Sequence, residues 1–144
     1  MKLPDFVILG AMKAGTTSLF RWLERHPDVA LPEEKEPAFF SRDDRWARGV
    51  GSYAKLFAAL PSDKLTGEAS VHYSDPAVAS RAAARLHEVL PEARLLFLAR
   101  DPAERLRSHY RHQVQRGREQ RPLLEALSEP DSPYVRCSLY DDAL

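Results

Sequence analysis

Apolar residues along this chain come in short continuous runs separated by amphipathic stretches. Phe6-Val7-Ile8-Leu9, closed by Gly10, has the pattern of a strand covered on both faces. Thr16 to Arg25 reads as a helix with Leu19, Phe20, Trp22 and Leu23 on an apolar side. It stops at His26-Pro27, because the residue before a proline avoids helical geometry. Residues 29–45 read as an irregular loop carrying the pair Phe39-Phe40, and Tyr53 to Leu60 as a short helix ended by Pro61. Leu65 to Ser70 is a second strand, and Pro76 to Leu90 an alanine-rich helix with proline near its start. Arg94 to Ala99, with Leu95-Leu96-Phe97-Leu98, is a third buried strand. Pro102 to about Arg118 is helical again, with Pro102 suited to the first turn and Gly117 near the end. Tyr134 to Leu144 opens a further helix.

Strands alternating with helices predict a parallel sheet flanked by helices, the α/β class, in a single domain over residues 1–144. Three strands make a small sheet, and the chain closes on a helix with no strand after it. It therefore reads as the N-terminal portion of a larger domain.

Composition narrows the class without choosing a function. Charged residues at 29% and hydrophobic ones at 44% fit a folded globular chain, which excludes disorder as the starting expectation. Lys plus Arg and Asp plus Glu balance at 21 each, so no global field draws the chain to nucleic acid or to a membrane. Any anion site must be local. Cys137 is the single cysteine, which excludes an internal disulfide and a multi-cysteine metal site. The apolar stretch after Met1-Lys2-Leu3-Pro4-Asp5 is too short for a signal-peptide core or a bilayer span, so a cytoplasmic location is expected.

The stretch Gly10-Ala11-Met12-Lys13-Ala14-Gly15-Thr16-Thr17 follows a strand and opens a helix. That context makes it a candidate phosphate loop: the glycines permit a tight turn, and the N–H groups of residues 13–17 can converge on an anion at the positive end of the helix. Thr16 and Thr17 add hydroxyls and Lys13 a mobile charge. The triphosphatase pattern places lysine directly after the second glycine. Here Thr16 holds that position and the lysine lies inside the loop, which suits a compact 5'-phosphosulfate better than a magnesium-bound triphosphate. The plain alternative is a tight strand-to-helix turn with a solvated lysine.

Arg100-Asp101-Pro102 follows the third strand, with Ser108 one to two turns into the next helix. Arg100 at a strand's C-terminal end faces the crevice where open parallel sheets bind ligands. Alone it reads equally well as an ion-pair partner of Asp101 or Glu104.

Together, Gly-x-x-Lys-x-Gly-Thr-Thr after a strand and Arg-Asp-Pro-x-x-Arg-x-x-Ser after another resemble the sulfotransferases that use 3'-phosphoadenosine-5'-phosphosulfate (PAPS). The likeness is to the branch containing heparan sulfate and bacterial sulfotransferases. It extends over His26-Pro27, Lys35-Glu36-Pro37 with Phe39-Phe40, Gly67-Glu68-Ala69, and Tyr134 and Tyr140. The resemblance implies a three-layer α/β/α fold related to the P-loop proteins. It implies a 5'-phosphosulfate site at Lys13, Ala14, Gly15, Thr16, Thr17 and Ser18, and a 3'-phosphate site at Arg100 and Ser108. It further implies PAPS as sulfuryl donor, PAP (3'-phosphoadenosine-5'-phosphate) as product, no metal, and Glu36 as general base toward a hydroxyl or amine of a small-molecule or carbohydrate acceptor. His72 is a second acid/base candidate at a strand end, although a lone histidine is commonly structural.

Glycan-modifying relatives often carry a histidine two residues after the glutamate, an acid after the Phe pair, and a lysine after the second-strand glutamate. Those positions are Ala38, Ser41 and Ala69 here. Three other readings compete: a non-catalytic phosphonucleotide-binding fragment, a P-loop small-molecule kinase, and nucleic-acid binding through Arg105, Arg107, Arg111, Arg116, Arg118 and Arg121. That arginine-rich stretch reads at least as well as a solvated helix face.

Overall fold

A computed structural model describes residues 1–142 of the chain. Four parallel strands, β1 (Phe6–Gly10), β2 (Val29–Ala30), β3 (Leu65–Ala69) and β4 (Arg94–Phe97), form one sheet in the order β2-β3-β1-β4. The helices are α1 (Thr16–Leu23), α2 (Asp43–Trp46), α3 (Val50–Ala54), α4 (Ala79–Val89), α5 (Pro102–Gln115), α6 (Leu123–Ser128) and α7 (Pro133–Arg136). Short 3-10 turns cover Lys55–Phe57, Val71–Ser74 and Tyr140–Asp142. Among the described residues no helix is long and apolar enough to cross a membrane.

Alternation along β1 sends its residues to opposite faces of the sheet. Val7 joins Phe40, Tyr53, Phe57, Tyr73 and the α4 residues Ala82 and Leu86 on one face. Phe6 and Ile8 join Phe20 of α1 and Ala69 on the other. A sheet covered on both sides is the α/β/α arrangement expected from the sequence. Gly67 does not weaken β3, because the Phe6 ring occupies its side-chain space: a Cβ there would lie 2.2 Å from ring carbons.

Several local expectations change. The two-residue β2 lies inside the stretch read as loop, and α6 was not anticipated. Trp22 is 71% exposed rather than on the apolar side. Two residues beyond buried Phe20, it points about 200° around the helix from it. The third strand is not buried either. β4 is a sheet edge, with Leu95 and Leu96 both exposed, because among the described residues its only strand partner is β1. An apolar run identifies a strand but not its place in the sheet.

Candidate functional site

β1 has β3 on one side and β4 on the other, so the connections leaving the sheet diverge at its C-terminal end. Such a switch point opens a crevice above the strand ends. Here it is a cleft of about 840 Å³, lined from the β1–α1 loop, the Glu36 segment, the turn after β3, the start and inner face of α5, and residues 116–137. Its volume is in the range of small-molecule and nucleotide sites, roughly 300–1,000 Å³. Six cationic side chains line it (Lys13, Lys35, Arg100, Arg116, Arg118, Arg121) against three carboxylates (Glu36, Asp75, Glu119). A chain of zero net charge therefore carries a locally basic cleft.

The loop leaves the start of its helix open. Gly15 caps α1 with φ 97°, a left-handed conformation that favours glycine, and contributes no side-chain hydrogen bond to the helix start. No acidic residue stands in the first turn, so the first N–H groups of α1 keep their positive end open. α5 differs: the Asp101 carboxylate accepts the Glu104 N–H at 2.9 Å and closes that helix end. Asp101 is thus a helix cap, and Arg100 provides the charge.

Lys13, Gly15, Thr16, Thr17, Glu36, His72, Arg100 and Ser108 all line this one cleft. Ala14 and Ser18 do not. The Ala14 N–H donates to the Ala11 carbonyl at 3.1 Å, so the turn consumes it, and Ser18 lies on the exposed side of α1. The Arg100 guanidinium donates to the Lys13 carbonyl at 3.4 Å and to Glu104 at 3.3 Å, which brings the two candidate motifs into contact.

The Glu36 segment docks on the end of β3. The Glu36 N–H donates to the Ala69 carbonyl at 3.0 Å, and the Ala38 N–H to Ser70 Oγ at 3.0 Å. The Glu36 carboxylate accepts the Val71 N–H at 2.9 Å and Lys35 Nζ at 2.7 Å, and its side chain remains 31% exposed. Lys13, Glu36 and Ala38 are the non-glycine residues with positive φ among those described. Left-handed backbone at such residues costs on the order of 1–3 kcal/mol each, and here it is confined to the two segments that present Lys13 and Glu36.

Behind Glu36 lies a residue the sequence reading left without a role. Glu68 is 1% exposed on β3. Tyr53 and Tyr73 donate their hydroxyls to one carboxylate oxygen at 3.2 and 2.8 Å, and Ser70 donates to the other at 2.8 Å. Burial nevertheless raises its pKa to about 7, against the opposing pull of those three donors.

The arginine-rich stretch divides: Arg107 and Arg111 are solvated on α5, as read from the sequence, whereas Arg105 turns inward. Arg105 is fully buried, while Arg116, Arg118 and Arg121 line the cleft with His109, His112 and Gln113. Positions 105, 109 and 112 recur at helical spacing, a polar stripe of α5 that the sequence pattern does not separate from a solvent-facing one. Glu119 and Arg121 pair at 2.7 Å, and the Tyr134 hydroxyl donates to Glu119 at 2.9 Å. Arg121 holds the Glu119 carboxyl well below the usual carboxylate range.

No family model matches the chain. It is 39% identical over 117 residues to the membrane-associated sulfotransferase kil1 of Dictyostelium discoideum, covering 78% of this chain and 24% of that protein. It is 34% identical over 119 residues to the human bifunctional heparan sulfate N-deacetylase/N-sulfotransferase 1, covering 78% of this chain and 13% of that protein. The chain thus spans a quarter or less of these curated relatives. The crystal structure of a sulfotransferase from Alicyclobacillus acidocaldarius superposes with a TM-score of 0.81 at 32% identity, over 97% of this chain and 66% of that one. Sequence and fold agree: the chain belongs to the sulfotransferase family.

Proposed function

We propose that this chain holds the donor site and general base of a PAPS-dependent sulfotransferase acting on a hydroxyl or amine of a small-molecule or carbohydrate acceptor. The observation that carries the reading is the meeting of two anion motifs, Lys13 with the open start of α1 and Arg100 with Ser108, in one basic cleft. A donor with phosphate at its 3' end and phosphosulfate at its 5' end calls for two such sites, whereas ATP does not call for the second.

Bound there, the donor would supply the sulfuryl group. Lys13 and the N–H groups at the start of α1 would bind the 5' end and stabilise negative charge on the bridging oxygen as its bond to sulfur breaks. Arg100 and Ser108 would fix the 3'-phosphate and so the orientation of the 5' end. Glu36, with its backbone anchored to Ala69 and its side chain to Val71, would take the proton from the acceptor as the new bond to sulfur forms. His72 lines the cleft next to the Val71 anchor and is the second candidate for that proton. The Lys35 ammonium already engages Glu36, so it would have to yield as the acceptor arrives.

The test is calorimetric titration of the purified chain with PAP without magnesium, beside magnesium-ATP. Metal-independent binding of PAP that Lys13→Ala abolishes supports the reading. Preference for magnesium-ATP would replace it with a P-loop kinase.

A further inference from the structure

Arg105 lies in the first turns of α5 with its side chain fully buried. A buried guanidinium ordinarily faces a carboxylate. None of the hydrogen bonds of Arg105 among the described residues reaches one. Its bonds go instead to parts that build the cleft. Nε donates to Ser138 Oγ at 2.8 Å, one terminal nitrogen to the Met12 carbonyl at 3.2 Å, and the other to the Tyr134 carbonyl at 2.9 Å. The last also stands 3.3 Å from His109 Nδ1.

Met12 immediately precedes Lys13, and the two ends of a trans peptide point in opposite directions. Fixing the Met12 carbonyl on a buried group turns the Lys13 N–H away from the interior, toward the cleft that Met12 and Lys13 both line. Arg100 takes the next carbonyl, that of Lys13. Successive loop carbonyls are thus held on two arginines of the α5 start. The same Arg105 fork fastens α7 and Ser138, and Tyr134 and Cys137 of that segment form a wall of the cleft.

We propose that Arg105 is a positioning residue of the donor site: it holds the phosphate loop and the 133–138 wall together, with the loop N–H groups turned toward the bound anion. The inference rests on the donor-site reading above. A planar fork donates in three directions at once, whereas a lysine ammonium is a single point, so Arg105→Lys should not substitute.

Two measurements on the whole chain test this. Hydrogen exchange without ligand compares the hydrogen-bonded amides of residues 12–17 (Ala14, bonded to the Ala11 carbonyl) and 133–138 with those of β3, and calorimetry reads PAP affinity. For Arg105→Lys and Arg105→Gln, exchange should quicken in both segments and not in β3, and PAP affinity should fall by about tenfold or more, the scale of a lost charged hydrogen bond. A purely architectural residue would instead lower the melting temperature and quicken exchange in β3 as well. Wild-type exchange in residues 12–17, or wild-type affinity in the folded variants, would overturn the proposal. If neither Arg105 variant folds, Ser138→Ala decides: it removes one arm of the fork and should quicken exchange in both segments by about fivefold, and unchanged exchange there overturns the idea. A wild-type chain that binds no PAP would sink the donor-site reading, while the exchange data still judge the role of Arg105.

Discussion

Replacing Glu68 by glutamine should remove a component of stability that declines as pH rises from about 4.5 to about 7, the ordinary and folded-state pKa of this carboxyl. Burial is the cause, so the fold prefers the protonated acid. Below the lower value both the folded and the unfolded chain carry the proton and nothing is lost. Between the two values the unfolded chain releases its proton while the folded chain keeps it, so stability falls. Above the higher value the fold carries the buried charge in full. The separation between about 7 and 4.5, at about 1.36 kcal/mol per pH unit, makes the loss roughly 3 kcal/mol. Glutamine has nearly the same shape, and the surrounding hydroxyls of Tyr53, Tyr73 and Ser70 can turn to serve it. Urea unfolding of both proteins from pH 4 to 8 gives the difference curve. His109, which burial lowers to about 4, titrates in both proteins and cancels in the difference. Wild-type stability minus that of Glu68→Gln should fall across the window. A flat difference, or one that rises with pH, would refute the reasoning by showing that the three hydroxyl donors outweigh burial.

Glu36→Gln should leave PAP affinity unchanged while lowering turnover by about 10²–10⁴-fold, the usual contribution of a positioned base, as read by PAP release in the presence of hydroxyl and amine acceptors. Phe40→Ala should cost about 3–5 kcal/mol in urea unfolding, because the ring is fully buried against Tyr53, Tyr73 and Phe39 at the centre of one core layer.

What could be read from the sequence was local. The β1–α1 loop is legible as a turn because Gly10 and Gly15 set its shape locally, and the strand before it and helix after it are both encoded nearby. That Arg100 and Ser108 share a cleft was legible for a similarly local reason, since eight residues of one strand–helix junction separate them. Neighbourhood was not legible. The apolar run of β4 does not encode its edge position, and nothing in Gly67-Glu68-Ala69 foretells that Tyr53, fifteen residues earlier, reaches back to the carboxylate. Arg105 looked like its neighbours Arg107 and Arg111, although those two are exposed and Arg105 turns into the interior.

The pairing of the two anion sites is most directly measured by titrating wild type and Arg100→Gln with PAP and with adenosine 5'-phosphate, which lacks the 3'-phosphate. In wild type the 3'-phosphate should strengthen binding by about tenfold or more, and Arg100→Gln should erase most of that advantage, while the monophosphate loses only the smaller share owed to the Arg100 bond to the Lys13 carbonyl. An advantage that survives in Arg100→Gln, or an equal loss of both ligands, would contradict the assignment of Arg100 to the 3' end and with it the two-site donor cleft.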